Sequence, residues 1–318
     1  MIGVHIEDGE VSVRKARRPR RKRGEALIRL RVGGICNTDL ELQRGYYGFA
    51  GRPGHEFAGE VVSAGDPAWV GRRVVGEINR ACGKCDWCKR GLGRHCPHRT
   101  VLGIAGHPGA FAGYLTLPVE NLHRIPASVP DEEAVFAEPI AAACEILDQV
   151  RIPKGVPVAV LGDGKLGLLV GQVLAAHGAD VRQFGRHRAN LAIAEAAGAK
   201  VEIVGRETPA AKFDWVVDAT GSKEGLGAAI RMTRPRGVLV LKSTVHGKAA
   251  IDAARVVVDE ITLVGSRCGR FVPALRLLKQ GRLRLREMID SRFPLPEAPR
   301  AFRRASKRGV LKVLLEAA

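Results

Sequence analysis

The sequence lacks any long run of apolar residues. No segment approaches the roughly 20 consecutive apolar residues that a membrane-spanning helix needs. The start, Met-Ile-Gly-Val-His-Ile-Glu-Asp, does not have the charged and apolar regions of a signal peptide. We therefore expect a cytoplasmic protein with reduced thiols and no membrane partner.

Aromatic and acidic residues are also scarce. Aromatics make up 5% of the chain, and 33 acidic residues face 51 basic ones, which gives a formal net charge of +18. The densest basic run, residues 14–23, contains no aromatic side chain, and no nucleic-acid-binding signature accompanies it. We interpret this run as a solvated surface loop between two strands and expect no specific nucleic-acid partner, although a charge this high attracts polyanions weakly.

The 318 residues exceed one typical domain and predict two. The first part is punctuated by glycine and alternates apolar with polar residues, as in Gly24–Val32, which is typical of half-buried strands. After Pro130, strands alternate with helical patterns, which predicts a doubly wound parallel sheet. Its expected strands are 158–161, 180–184, 200–204, 214–218, 237–241 and 261–265.

Four of the seven cysteines fall within one short segment, residues 81–97. They are separated by two, two and seven residues, and they stand at Cys82, Cys85, Cys88 and Cys96. Four thiolates can close a tetrahedron around zinc and leave no position for water, which is typical of a structural site. The alternatives are disulfides and core cysteines. Disulfides need an oxidising compartment, and the neighbouring residues are polar, so the spacing favours zinc.

A glycine-rich loop, Gly162-Asp-Gly-Lys-Leu-Gly167, follows a predicted strand and opens a predicted helix. In that context the first glycine permits a tight turn, the second permits close approach of a pyrophosphate, and the third lets helix and strand pack. The helix N-terminus adds N–H donors. A merely glycine-rich turn is the alternative. We take the whole loop as the candidate dinucleotide site: Gly162, Asp163, Gly164, Lys165, Leu166 and Gly167.

The kind of dinucleotide depends on the end of the second strand of this domain. NAD sites usually place an acid there for the ribose 2′-hydroxyl, but here the strand ends in Gly185-Arg-His-Arg188. Gly185 leaves room for a 2′-phosphate, Arg186 can bind that group bidentately, and His187 and Arg188 add positive charge. The sequence therefore favours NADP(H) over NAD(H).

Three scattered residues, Cys36, His55 and Glu56, have the ligand types of an open zinc site. Taken singly, each has an ordinary structural interpretation: a core cysteine for Cys36 and a turn for the Gly-His-Glu sequence. Their combination with the cysteine segment and the nucleotide loop makes them candidate ligands of a catalytic zinc.

In this combination the chain resembles the zinc-dependent medium-chain alcohol and polyol dehydrogenases over essentially its whole length. The resemblance rests on six motifs in order: Gly34-Ile-Cys-Asn-Thr-Asp39, Gly54-His-Glu56, the four cysteines, Phe111-Ala-Gly-Tyr114, Glu138-Pro139 and Gly162–Gly167. It implies a GroES-like β-rich catalytic domain made from residues 1–138 and 284–318, and a Rossmann domain made from residues 139–283.

The resemblance also implies roles for single residues. Cys36, His55 and Glu56 would bind the catalytic zinc, with Glu138 as a fourth ligand or close partner. Thr38 would relay the substrate proton and Asp39 would orient His55, while Arg267 is a further candidate cofactor contact that has an equally plausible structural role. Three features depart from the family pattern: Glu41 lies where some alcohol dehydrogenases have a relay histidine, Gly113 replaces a glutamate, and the chain is somewhat short.

The expected activity is hydride transfer between NADP(H), or possibly NAD(H), and a secondary alcohol, polyol or sugar-like hydroxyl. The partners expected are the small-molecule alcohol or carbonyl, two zinc ions per chain, and further copies of the chain in a dimer or tetramer. Two alternatives stay open: an NADP-binding member of the family that has lost catalysis, and a basic zinc-containing nucleic-acid binder.

Overall fold

The computed structural model describes residues 1–205, 209–243 and 249–317, and the chain forms two compact units. The first comprises Met1–Glu138, Phe271–Gln280 and Ile289–Ala318, and the second comprises Pro139–Arg270 and Gly281–Met288. The final residue, Ala318, lies outside the described residues. Compared with the domain bounds expected from the sequence, residues 271–280 belong to the first unit and residues 284–288 to the second.

Local contacts explain both differences. The Phe271 ring stacks on His123 at a centroid distance of 5.5 Å, and the Phe271 amide donates to Glu77 Oε1 at 3.3 Å. The Arg284 amide donates to Gln172 Oε1 at 2.6 Å. Because a buried glutamine carbonyl needs a donor, this bond fixes the segment at Arg284 within the second unit.

The first unit is rich in strands, as the sequence predicts. Its strands up to residue 124 are β1 (Ile2–Glu7), β2 (Glu10–Lys15), β3 (Glu25–Ile35), β4 (Glu56–Ser63), β5 (Arg73–Gly76), β6 (Asn79–Arg80), β7 (Thr100–Leu102), β8 (Gly106–His107), β9 (Tyr114–Pro118) and β10 (Leu122–Arg124). Helices α1 (Asn37–Gln43) and α2 (Asp86–Lys89) interrupt them, and α3 (Asp131–Ala134) follows. The next helix, α4 (Ala137–Gln149), belongs to the second unit from Pro139 onwards. The basic run lies largely in the loop between β2 and β3, where Arg18 stacks over the Tyr114 ring at 4.2 Å.

The second unit is a parallel α/β sheet. Its strands are β11 (Pro157–Leu161), β12 (Asp180–Gly185), β13 (Lys200–Ile203), β14 (Phe213–Asp218), β15 (Thr233–Leu241) and β16 (Thr262–Gly265). Helices α5 (Lys165–His177), α6 (Arg188–Ala196), α7 (Lys223–Met232) and α8 (Ala253–Val258) connect them. Within the described residues the strand order is β13-β12-β11-β14-β15-β16, which is the doubly wound arrangement that the sequence predicts. Val158, Ala159 and Val160 of β11 are fully buried, because helices cover both faces of such a sheet.

The last elements complete the first unit: α9 (Phe271–Gln280), β17 (Ile289–Pro294), α10 (Ala298–Ala305) and β18 (Lys312–Glu316). The main sheet of this unit has the order β10-β5-β4-β3-β18-β17, with β9 also paired to β3. Strand β3 thus lies between β4 and β18, and Gly34 is opposite both Glu56 and Leu314. This register brings the chain's C-terminal strand to the residues that carry the candidate site.

Candidate active site

The site begins where β3 ends and α1 starts. Cys36 caps the helix N-terminus, and its backbone N–H donates to Asp39 Oδ2 at 2.8 Å. Asp39 Oδ1 accepts a second bond, from the Gly54 backbone N–H at 3.1 Å. Asp39 is completely buried, so a single carboxylate ties the segment at Cys36 to the segment that carries His55.

Strand β4 brings the other two candidate ligands. Its first residue is Glu56, and His55 directly precedes it; both side chains are buried. Cys36, His55 and Glu56 each offer a ligand atom, and these atoms all lie within 4.8 Å of one another. His55 Nδ1 faces Asp39 Oδ1 at 3.4 Å, which is the second-layer contact that sets the orientation of a metal-binding histidine.

A lysine from the other end of the chain pairs with Glu56. Lys312, the first residue of β18, is 1% exposed, and its Nζ donates to Glu56 Oε2. The two side chains meet over Gly34, where a Cβ would lie 2.7 Å from Glu56 Oε2 and 3.2 Å from Lys312 Cδ. Glycine is therefore required at position 34 because the ion pair occupies the space above it.

Lys312 was not among the site residues that the sequence indicated. The available signal is a single lysine within the apolar segment Val310-Leu-Lys-Val-Leu-Leu315. A lysine is almost never fully buried unless it is paired, so a charge in a buried strand predicts a buried partner. The sequence alone does not identify that partner.

The site is electronegative. Burial alone would lower the pKa of His55, but the charges of Asp39 and Cys36 outweigh burial and hold that pKa well above its ordinary range. The pKa of Lys312 is raised in the same way: burial opposes the charge, while Glu56, Cys36 and Asp39 favour it. An arrangement that stabilises positive charge on its own side chains also attracts a cation.

The donor set fits zinc. Glu56 Oε1 is buried without a hydrogen-bond partner among the described atoms, and a thiol, an imidazole and a carboxylate are ordinary zinc ligands. An unsatisfied buried carboxylate oxygen is costly, and a divalent cation beside it would remove that cost. Glu138 is not a member of this three-residue group, so its role as a fourth ligand stays a prediction.

Replacing Gly34 with alanine tests the packing of this site. The new methyl group would displace Glu56 Oε2 from Lys312, so we expect the protein to lose about 1–3 kcal/mol of stability, as for other overpacked positions. We also expect it to bind less zinc. A matched control is Gly65→Ala, because a Cβ at Gly65 meets no atom within 4 Å. Equal urea midpoints for the two variants would contradict this interpretation of Gly34.

The cysteine segment forms a separate cluster. Cys82, Cys85, Cys88 and Cys96 offer sulfur atoms that all lie within 4.8 Å of one another. The separations are 3.9 Å for Cys82–Cys88, 3.5 Å for Cys85–Cys88 and 3.6 Å for Cys85–Cys96. These exceed the roughly 2.0 Å of a disulfide. They match the roughly 3.8 Å between corners of a tetrahedron whose centre is about 2.3 Å from each sulfur, which is the geometry of a zinc–thiolate site.

The backbone supports thiolate character at Cys82, while burial and the neighbouring thiols raise the pKa of Cys88 to about 12. The N–H groups of Lys84 and Cys85 donate to Cys82 and lower its pKa to about 6. Metal-bound cysteines must be deprotonated, so these donors favour the ligand form. The geometry and the donors both fit zinc with all four positions taken by protein.

The nucleotide loop has the geometry that the sequence indicates. Gly162 has φ of +115°, and a Cβ at Gly167 would lie 2.3 Å from the Gly162 carbonyl oxygen, so α5 packs directly on the loop. Gly164 caps α5, and a Cβ there would meet nothing within 4 Å. This open approach at a helix N-terminus fits a pyrophosphate. Lys165 and Leu166 form the first turn of α5 and are half-buried.

The end of β12 carries the basic residues Arg186, His187 and Arg188. Asp163 of the nucleotide loop reaches this point: its Oδ2 accepts from the Arg186 amide at 2.8 Å and from the His187 amide at 2.5 Å. The structure therefore places an acid at a strand end that has none in its own sequence. Arg267 lies elsewhere in the second unit, where its carbonyl accepts from Lys242 Nζ at 2.6 Å.

Two family models match the chain. The alcohol dehydrogenase GroES-like domain matches residues 22–127, and the zinc-binding dehydrogenase domain matches residues 166–280. D-altritol 5-dehydrogenase of Agrobacterium fabrum is 32% identical over 86% of this chain and 86% of its own length. The chain belongs to the zinc-dependent medium-chain alcohol and polyol dehydrogenases and is an oxidoreductase that acts on CH–OH donors, as its motifs predict.

Solved structures agree on the fold and on the class of cofactor. A zinc-binding dehydrogenase from Sinorhizobium meliloti 1021 bound to NADP has a TM-score of 0.90 and 29% identity, and covers 99% of this chain and 98% of its own. A short chain alcohol dehydrogenase from Escherichia coli CFT073 complexed with NADH has a TM-score of 0.91 and 26% identity, and covers 99% of both chains. The GroES-like and Rossmann prediction is confirmed, as are zinc and a nicotinamide cofactor. Among the described residues, every helix is too short or too polar to cross a membrane.

Proposed function

We propose that this chain interconverts a secondary alcohol of a polyol or sugar-like substrate and its carbonyl, with NADP(H) favoured over NAD(H). The observation that carries the proposal is the group formed by the half-buried Cys36 and the buried His55 and Glu56, whose ligand atoms lie within 4.8 Å of one another. Its donor types and its unsatisfied carboxylate oxygen fit an open zinc site rather than a saturated one.

When both are bound, zinc supplies Lewis acidity that lowers the pKa of the substrate hydroxyl, and the nicotinamide supplies the hydride acceptor. The chain's own residues hold the ligands and move the proton. Asp39 fixes His55 through their 3.4 Å contact, and it fixes Cys36 through the backbone bond. Lys312 holds one oxygen of Glu56 and leaves the other available.

Thr38 is the proposed proton relay. Its Oγ1 lies 3.8 Å from Cys36 Sγ, and its side chain is half-buried. A hydroxyl can accept and donate a proton at the same time, so Thr38 can pass the substrate proton from the buried site towards solvent.

The substrate class rests on the carboxylate and on the relatives. A carboxylate has about four lone-pair sites on its two oxygens, so a glutamate beside the zinc keeps acceptor capacity for an additional substrate hydroxyl group. D-altritol 5-dehydrogenase, by its name, acts on a polyol. We therefore place the substrate among polyols, sugar-like compounds and related secondary alcohols.

The cofactor preference rests on the end of β12. Gly185 contributes no side chain, and the exposed Arg186 and Arg188 and the half-buried His187 follow it. Arginine suits a 2′-phosphate because its fork of N–H donors matches phosphate oxygens. The two solved relatives divide between NADP and NADH, so the choice depends on residues particular to each chain.

We further propose two zinc ions per chain, one held at Cys36, His55 and Glu56 and one held by the four cysteines, with Glu138 as a fourth ligand or close partner at the first. We also propose a cytoplasmic location, where reducing conditions would keep the four thiols available for the second zinc ion. A homodimer or homotetramer completes the proposal.

A substrate screen tests the function directly. Purified protein is incubated with a panel of polyols, sugar alcohols and simple alcohols, each with NADP⁺ and with NAD⁺, and the absorbance of the reduced nicotinamide is followed. We expect turnover with a polyol or related secondary alcohol, faster with NADP⁺. Turnover confined to simple primary alcohols would contradict the substrate class. The absence of turnover with every compound in the panel would favour the alternative that this chain binds NADP but has lost catalysis.

A further inference from the structure

The side chain of Asp163 reaches from the glycine-rich loop to the residues that follow β12. It is 8% exposed, and its Oδ2 accepts the amides of Arg186 and His187 as well as His187 Nδ1, the last at 3.0 Å. Asn190 Nδ2 donates to the Asp163 carbonyl at 3.0 Å, which fixes the main chain beneath it. The carboxylate is therefore held at the end of β12.

This carboxylate fills the space that a side chain at position 185 would need. A Cβ built on Gly185 would lie 2.5 Å from Asp163 Cβ, 2.7 Å from its Cγ and 2.8 Å from its Oδ2. Asp163 occupies the space that a side chain at position 185 would take, so the expectation from the sequence that Gly185 leaves this space to a 2′-phosphate is wrong. An acid is thus present at the strand end where a Rossmann domain usually carries one, but it comes from the glycine-rich loop that follows β11.

The end of β12 is where a Rossmann domain recognises the 2′ group of the adenosine ribose. An acid at this strand end accepts the ribose 2′-hydroxyl of NAD, whereas a 2′-phosphate brings close to two negative charges to the same place. Two of the three basic residues already have acidic partners. Arg188 forms an ion pair with Glu195 at 3.0 Å, and His187 Nδ1 contacts the Asp163 carboxylate. Arg186 is left as the main group that attracts a phosphate.

We propose that Asp163 is a specificity-determining residue: its charge opposes the adenosine 2′-phosphate and limits the preference for NADP(H) that Arg186 provides. The inference rests on the proposed function, since it concerns how the same site distinguishes the two cofactors. The wild-type protein then binds both dinucleotides, with a modest preference for NADPH.

Asp163→Asn tests this proposal. The amide oxygen still accepts from the Arg186 and His187 backbone, but the charge is lost. Dissociation constants for NADPH and NADH are measured by fluorescence titration of the zinc-loaded protein. We expect the ratio of NADPH affinity to NADH affinity to rise about tenfold, or about 1.4 kcal/mol, which is the size of effect that one charge exerts on another near a protein surface.

The matched control is Asp180→Asn. Asp180 begins the same strand, β12, and pairs at the surface with Lys200 at 2.9 Å. It carries the same charge at the opposite end of the strand, so its removal should leave the affinity ratio within about twofold of wild type, because exposed charges farther apart than a Debye length are screened.

An unchanged ratio in Asp163→Asn, or a shift towards NADH, would overturn the role of Asp163, even if both affinities fell together. If the asparagine variant does not fold, Asp163→Ser retains an acceptor oxygen and must shift the ratio in the same direction. Wild-type protein that binds neither dinucleotide would overturn the proposed function itself. Binding with no change in ratio would overturn only this inference.

Discussion

Cys36→Ser is expected to abolish dehydrogenase turnover while NADPH binding persists. A bound metal stabilises the transition state by several kcal/mol, and each 1.4 kcal/mol is a factor of ten in rate. We therefore expect kcat/KM to fall by at least about 10³-fold. The nucleotide loop lies in the second unit and does not depend on Cys36, so the affinity for NADPH should change by less than about twofold.

Cys144→Ser is the matched control for this prediction. Cys144 is buried in α4, and burial, with a smaller effect from the Asp148 charge, raises its pKa to about 12. Its thiol is thus protonated and belongs to neither ligand group among the described residues. If Cys144→Ser keeps the zinc content and activity of wild type, while Cys36→Ser loses its activity and one of its two zinc ions, the effect belongs to the ligand. Full zinc-dependent activity of Cys36→Ser would contradict the site.

Lys312→Met is expected to have the largest effect on stability. Removing one partner of a buried ion pair leaves the other charge uncompensated, which costs about 3–5 kcal/mol. The effect should be greatest after zinc is removed by a chelator, since the metal is then not available to compensate Glu56. Urea unfolding, followed by the fluorescence of the three tryptophans, Trp69 and Trp87 in the first unit and Trp215 in the second, measures the change.

Two further variants separate the ion pair from the loss of a long side chain. Lys312→Met combined with Glu56→Gln should recover part of the lost stability, because both charges are then absent. Lys200→Met removes a lysine from an exposed pair with Asp180 and should cost no more than about 1 kcal/mol. Equal losses for Lys312→Met and Lys200→Met would show that the Glu56–Lys312 pair does not support the fold.

The parts of the structure that short motifs encode could be predicted from the sequence. The four cysteines lie within fifteen residues of one another, and their spacing alone indicates a closed metal site. In the nucleotide loop, a tight turn needs Gly162, close approach of a pyrophosphate needs Gly164, and packing of α5 on the loop needs Gly167. In both cases the interacting groups are close in sequence, so the pattern and the geometry coincide.

The parts that depend on tertiary contacts could not be predicted in this way. Lys312 and Glu56 are 256 residues apart, and only the pairing of β3 with both β4 and β18 brings them together. Asp163 and Gly185 are adjacent in space because parallel strands end at the same edge of a sheet. The sequence showed Gly185 as a position without an acid, whereas the fold supplies one from another loop.

The segment Phe271–Gln280 shows the same limit at the scale of domains. Its sequence is that of an ordinary amphipathic helix, with Phe271, Ala274 and Leu278 buried. Nothing in that pattern specifies which unit it packs against. The contacts of Phe271 with Glu77 and His123 assign it to the first unit, and these involve residues about 150–190 positions earlier in the chain.

The central claim is that Cys36, His55 and Glu56 hold a zinc ion distinct from the one held by the four cysteines. Zinc per chain, measured by elemental analysis on wild-type protein, Cys36→Ser and Cys144→Ser prepared in parallel, tests it most directly. The proposed sites predict two zinc ions in wild type and in Cys144→Ser, and one in Cys36→Ser. One zinc ion in wild type, or two in Cys36→Ser, would contradict the claim.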